Sequence, residues 1–168
     1  MKRLILIGGT MGVGKTAVCR ELQKLLPDNV FLDGDWCWDA VPFQVTAETK
    51  SMVMENIAFL LNQFLRCSAY ENVLFCWVLH ERAIWDDLLG RLNLSDVKVI
   101  RLSLICAPQE LERRLNRDIA QGIRTPDVIN RSLERLRCYE WLELPLIDTT
   151  CLTPRKTAEH LIRIIDNE

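Results

Sequence analysis

The string Gly9-Thr10-Met11-Gly12-Val13-Gly14-Lys15-Thr16 fits the pattern G-x-x-x-x-G-K-[ST] and lies between two runs of different periodicity. Before it, Leu4-Ile5-Leu6-Ile7 is continuous, apolar and β-prone, as a strand buried on both faces requires. After it, Val18, Leu22 and Leu25 recur at helical spacing. Strand, glycine-rich turn and helix in that order are the setting in which such a loop cradles phosphates. Glycines at 9, 12 and 14 open backbone conformations closed to other residues, so successive N–H groups can turn inward on an anion. The helix adds the positive end of its dipole. Contacts to a bound nucleotide are therefore expected from Gly9, Thr10, Met11, Gly12, Val13, Gly14, Lys15, Thr16 and Ala17. Lys15 is expected to reach the β- and γ-phosphates, and the Thr16 hydroxyl to be a ligand of Mg²⁺.

A chain of 168 residues has room for one α/β domain with a sizeable core. Its formal net charge of −2 gives no reason to expect nucleic acid or an anionic membrane as partner. No apolar run reaches the roughly 18 residues that a membrane span needs. Met1-Lys2-Arg3 and the short apolar run after it do not make a secretory signal, so a cytoplasmic location is expected. The seven cysteines form no C-x-x-C pair and lie mostly in apolar patterns, which points to reduced, buried thiols.

Beyond the loop, strand and helix alternate. Val30 to Leu32 reads as a short strand ending at Asp33, and Thr46 as the N-cap of a helix through about Arg66 with Val53, Ile57, Leu60 and Phe64 inward. Asn72 to Leu79 reads as a strand with His80 at its end. A helix from Glu81 to Leu92, a strand from Val97 to Cys106 and a helix from Pro108 to about Gln121 follow. Thr125-Pro126 caps a further helix to about Leu142, Leu144 to Asp148 is the last strand, and Thr153-Pro154 opens the closing helix. Five strands separated by helices predict a parallel sheet covered on both sides. Ligands of such a sheet bind at the carboxyl ends of the strands, and Gly9, Asp33, His80 and Asp148 stand there.

Asp33-Gly34-Asp35 is the second chemical feature. One carboxylate after the second strand can support a metal through water, a role assigned to Asp33, while Asp35 takes the proton of an attacking hydroxyl. An ordinary Asp-Gly turn is the other reading. The third feature is arginine density: seven of the fifteen arginines fall between Arg113 and Arg137, around the break at Gly122. A helix pair bearing Arg113, Arg114, Arg117, Arg131 and Arg135, joined by a flexible tip that carries Arg124, suits a lid that screens a transferring phosphoryl group. A solvated, salt-bridged hairpin would have the same composition.

In series, Gly9 to Thr16, Leu32-Asp33-Gly34-Asp35, Ala107-Pro108 with Glu110, Leu111, Arg114 and Arg117, and the ending Leu146-Ile147-Asp148-Thr149-Thr150 resemble the small P-loop kinases of metabolites. That group includes shikimate, gluconate and adenylylsulfate kinases and chloramphenicol phosphotransferase. The resemblance implies an α/β P-loop NTPase three-layer sandwich, a single kinase domain over 1–168 with a five-stranded parallel sheet and an arginine-bearing lid at about 109–142. It implies an ATP- and Mg²⁺-dependent transfer to a hydroxyl of a small-molecule acceptor, by a monomer or homodimer. Asp35 matches the aspartate that contacts the acceptor and Asp33 the one near magnesium. Arg114 matches an arginine stacked on adenine, Arg117 or Arg124 a lid arginine on phosphate, and Arg135 an acceptor contact. Thr150 to Pro154 would lie near the adenine edge.

The chain departs from that pattern at Trp77-Val78-Leu79-His80-Glu81, which replaces a glycine pair, and at Trp36-Cys37-Trp38-Asp39. An arginine expected early in the second helix is also missing. Trp36, Trp38 and His80 are candidate walls of an acceptor pocket, with core packing as the other reading; for Trp77, inside a strand, core packing is favoured. Two other functions are open. A GTPase-like switch lacks an Asn-Lys-x-Asp signature, and Asp87-x-x-Gly90 falls in a helical pattern; a non-catalytic nucleotide-binding protein would keep the loop alone.

Overall fold

The computed structural model describes residues 1–167. Five strands, β1 (Lys2–Gly8), β2 (Asn29–Asp33), β3 (Asn72–Cys76), β4 (Val97–Ile105) and β5 (Leu146–Asp148), form one sheet in the order β2-β3-β1-β4-β5. Every pairing is parallel. Among the described residues six α-helices connect or cover them: α1 (Lys15–Leu25), α2 (Ala47–Arg66), α3 (Arg82–Gly90), α4 (Pro108–Ala120), α5 (Val128–Leu136) and α6 (Pro154–Asn167).

The apolar run of β1 divides the core in two. Ile5 and Ile7 face a cluster built with Val18 and Leu22 of α1 and Leu161 and Ile165 of α6. Leu4 and Leu6 face the other cluster, with Val53, Ile57 and Leu61 of α2 and Trp85 and Leu88 of α3. Alternation along one strand thus feeds both helical layers, which is why the run is continuous in sequence. Leu4 to Ile7 are wholly buried, worth about 1.5–3 kcal/mol per side chain. All seven cysteines are free thiols. Among the described residues no helix is long and apolar enough to cross a membrane.

Local chemistry sets most boundaries. Thr46 caps α2 as expected: its Oγ1 accepts from Thr49 N at 3.1 Å, while Thr49 Oγ1 accepts from Thr46 N at 2.8 Å, worth about 1 kcal/mol. Four expectations are corrected. The buried face of α2 includes Met54, Ala58, Leu61 and Leu65, with Leu60 and Phe64 only half-buried, because the helix is gripped on a wider arc than one row. β3 ends at Cys76, not Leu79. Trp77 N–H still donates to the Ile7 carbonyl at 3.2 Å, but Leu79, wholly buried with φ of 42°, turns the chain out of the sheet.

The helix expected from Pro126 to Leu142 is two pieces, α5 and a 3-10 helix over Arg137–Leu142 that ends at Glu143 with φ of 55°. Thr125 does not cap it; its hydroxyl bonds the Asp127 carboxylate instead. The tip between α4 and α5 is a hydrogen-bonded turn: Gly122 N–H donates to Ile119 and Ile123 N–H to Asp118, each at 2.9 Å.

Register fixes the site. Ile7 lies level with Cys76, and Cys76 with Asp33. The carboxyl ends of β1, β3 and β2 therefore finish together beneath the loop that follows β1.

Candidate active site

Gly14 is the N-cap of α1 with φ of 105°, a conformation closed to most residues, and no side chain caps the first N–H groups of that helix. A Cβ on Gly14 would meet nothing within 4 Å, so the cradle is open on that side. A Cβ on Gly12 would lie 2.6 Å from Leu115 Cδ2, so α4 presses directly on the loop. Lys15 Nζ donates to the Thr10 carbonyl at 3.0 Å. Burial lowers its proton affinity, against the pull of Cys76, Asp35 and Asp33.

Thr16 Oγ1 donates to Asp33 Oδ2 at 2.6 Å. The other Asp33 oxygen accepts from the Asp35 backbone N–H at 3.1 Å, starting a 3-10 helix over Gly34–Cys37. Asp33 is 5% exposed, whereas Asp35 stands exposed at the cleft wall. Protein on several sides thins the hydration of the Asp35 carboxyl, and the Asp33 charge adds repulsion; together they raise its pKa despite Lys15. Trp77 Nε1 donates to Asp35 Oδ1 at 3.1 Å, so this tryptophan, expected as strand core, supports the candidate base. Gly34 is required beside it, since a Cβ there would sit 2.5 Å from Trp77 Cγ.

The arginine hairpin closes the other side. Arg114 bonds Glu110 at 2.7 Å, the Val13 carbonyl at 2.9 Å, and Thr149 through its carbonyl at 2.7 Å and hydroxyl at 3.1 Å. One guanidinium thereby joins α4, the phosphate loop and the segment after β5. A cavity of about 480 Å³ opens here. Its walls bring together Met11 to Ala17, Asp35, Arg114, Arg117 and Arg124 with Thr149 and Leu152 to Pro154.

A family model described as AAA domain matches residues 5–136. The chain belongs to the AAA domain family. Solved structures agree on the fold. The tunicamycin resistance protein of Deinococcus radiodurans matches with a TM-score of 0.71 at 21% identity, over 98% of this chain and 96% of that one. A gluconokinase from Sinorhizobium meliloti matches at 0.69 and 16%, over 97% and 93%. The APS kinase of Mycobacterium tuberculosis, solved with AMPPNP and APS, matches at 0.68 and 12%, over 98% of both chains. This AAA domain has the fold of the small-molecule P-loop kinases.

Other candidates lie outside the cavity walls. Gly9 and Thr10, at the start of the loop, are buried. Trp36 packs edge-on against Phe31 at 5.2 Å with the Arg20 guanidinium 5.0 Å from its ring, and Trp38 packs against Phe43 at 4.7 Å. His80 Nε2 pairs with Glu81 at 3.1 Å, while its buried Nδ1 has no partner. Burial and the Arg135 charge lower the His80 pKa. Arg135 is half-buried and makes no ion pair among the described residues. Asp87-x-x-Gly90 lies in α3, where Asp87 pairs with Arg91 at 2.7 Å.

Sequence reasoning missed Trp77, Glu110, Asp118 and Thr149 as parts of the site. The spacing of Glu110 to Arg114, four residues on a helix, was a usable signal for one of these contacts.

Among the described residues no three His, Cys, Asp or Glu side chains gather as a metal cage. The converging Thr16 hydroxyl and buried Asp33 carboxylate fit a hard cation that takes its remaining oxygens from phosphate and water, as magnesium does.

Proposed function

We propose that the AAA domain is an ATP- and Mg²⁺-dependent phosphotransferase that acts on a hydroxyl of a small molecule. The observation that carries this reading is the Asp33–Asp35 pair: one carboxylate bonded to Thr16, the other facing the same cleft with a raised pKa and a fixed orientation. A nucleotide-binding module without acceptor chemistry has no use for the second carboxylate.

The loop N–H groups and Lys15 bind the triphosphate, and Arg114 stacks on the base. Thr16, with Asp33 through water, would hold magnesium, which when bound neutralises phosphate charge. Asp35 orients the acceptor hydroxyl and takes its proton. Arg117 and Arg124 close over the charge that develops on the transferred group. Trp36, Trp38, His80 and Arg135 contact the acceptor; for His80, the unpartnered Nδ1 supports that role. The solved neighbours that act on gluconate and APS support a small polar acceptor. A cytoplasmic site of action suits an enzyme of this kind.

The test is incubation of the purified chain with Mg²⁺-ATP and a pooled metabolite extract, reading ADP and new phosphorylated masses. A phosphorylated product that disappears with Lys15→Ala is the expected result. ADP formed without any phosphorylated product would instead establish hydrolysis.

A further inference from the structure

We propose, building on the phosphotransferase reading, that Asp118 is a positioning residue that aims Arg124 at the terminal phosphate of the bound nucleotide. Asp118 Oδ2 accepts from Arg124 Nε at 3.3 Å, and Oδ1 stands 3.8 Å from Arg117 Nη2. Bonding through Nε matters chemically. It leaves the two terminal amino groups of Arg124 without a protein partner among the described residues, and these carry four N–H donors. Asp118, Arg124, Lys15 and Asp35 line one cavity, and the Arg124 charge reaches both Lys15 and Asp35.

The backbone brings the pair together. Helix α4 ends in a Schellman turn: Ile123 N–H donates to the Asp118 carbonyl and Gly122 N–H to Ile119, with Gly122 at φ of 71°. The chain reverses there, and residue 124 returns alongside residue 118. The acid itself is badly placed for its own helix. It lies in the last turn of α4, where the helix dipole disfavours negative charge. It also lines a cleft whose loop is built to receive a polyanion. Local stability favours a neutral or basic side chain at this position. An orienting bond to arginines explains why an acid stands there.

The experiment needs no acceptor. Affinities of the full chain for ADP and for the non-hydrolysable β,γ-imido analogue of ATP are measured calorimetrically with Mg²⁺, and their ratio reports grip on the terminal phosphate. Wild type is compared with Asp118→Ala, Asp118→Asn, Arg124→Ala and the double alanine variant. Asp118→Ala should lose about tenfold of the triphosphate preference while ADP affinity stays within about twofold, the scale of one charge-assisted hydrogen bond. Asp118→Asn keeps an oxygen acceptor and should recover part of the loss. The double variant should be no worse than Arg124→Ala. If Asp118 were only a negative charge in the cleft, its removal would raise the preference, and a rise or no change overturns the proposal. So does additivity with Arg124→Ala, or a wild type that shows no triphosphate preference. A fall in Tm with equal loss for both nucleotides would mark a structural role and overturn it too. A wild type that prefers the triphosphate through Asp118 yet phosphorylates nothing would sink the phosphotransferase reading and leave this one standing.

Discussion

The Thr10 hydroxyl donates to the Ser132 carbonyl at 2.9 Å, tying the phosphate loop to α5 across 122 residues of sequence. Nearby, the Val78 carbonyl accepts from both Gly9 N–H and the Tyr139 hydroxyl. With Arg114 on the Val13 carbonyl, both arms of the arginine hairpin are hydrogen-bonded to the loop.

Thr10→Val removes the hydroxyl at nearly constant volume. The buried Ser132 carbonyl then loses one partner, and about 1 kcal/mol of stability should go with it. Thermal denaturation should show Tm down by about 2–4 °C. Thr10→Ser should restore most of this. An unchanged Tm in the valine variant would show that the bond contributes nothing.

Asp35 makes opposite predictions for stability and activity. Burial and the Asp33 charge hold its carboxyl above the ordinary carboxylate range. The native state therefore binds this proton more tightly than the unfolded chain, and stability falls as pH rises through the interval between the two pKa values. Above that interval the ionised carboxylate is a standing cost. Asp35→Asn removes the cost and keeps an oxygen for Trp77, so its Tm should exceed wild type near neutral pH and converge with it below about pH 4. Phosphoryl transfer should fall by about 10²–10⁴-fold in the same variant. In wild type, turnover should be lost on acidification at a pH above the usual carboxylate value. Full transfer by Asp35→Asn would remove Asp35 from the role of base.

Arg114 bonds three separate chain segments with one planar group, a geometry lysine cannot reproduce. Arg114→Lys should weaken ADP binding by about tenfold, the loss of one or two charge-assisted bonds. Glu110, now held down to about 2 by Arg113 and Arg114, should titrate closer to its ordinary value. Calorimetry and carboxyl NMR titration read the two effects separately.

What was legible in sequence was chemistry written locally. The loop pattern, the Thr46 cap and the continuous β1 run each state their own geometry within a few residues, and the parallel sheet follows from their alternation. The Trp77 contact to Asp35 was not legible, because it depends on β3 stopping at Cys76, which burial of Leu79 decides. Asp118 was hidden for a similar reason. Gly122 signalled a break, but only the Schellman turn brings residue 124 back to residue 118. Trp36 read equally well as pocket wall or packing; in the fold it meets Phe31 edge-on with Arg20 over its ring, partners that no local pattern joins to it.

Gly34 separates the two carboxylates, and its hydrogen faces the Trp77 ring. An added Cβ would lie 2.5 Å from Trp77 Cγ and 2.6 Å from Cδ1, so the indole has to move. Gly34→Ala should therefore cost about 1–3 kcal/mol through overpacking. It should also shift the indole N–H from Asp35 Oδ1, its present acceptor at 3.1 Å. With that bond lost, Asp35 loses one of the forces that lower its pKa, and the acid limb of turnover should move to higher pH. Nucleotide affinity should stay close to wild type, because among the described residues Trp77 makes no hydrogen bond to Gly9 through Thr16. Loss of stability with an unmoved pH profile would mean that Trp77 packs against Gly34 without tuning Asp35.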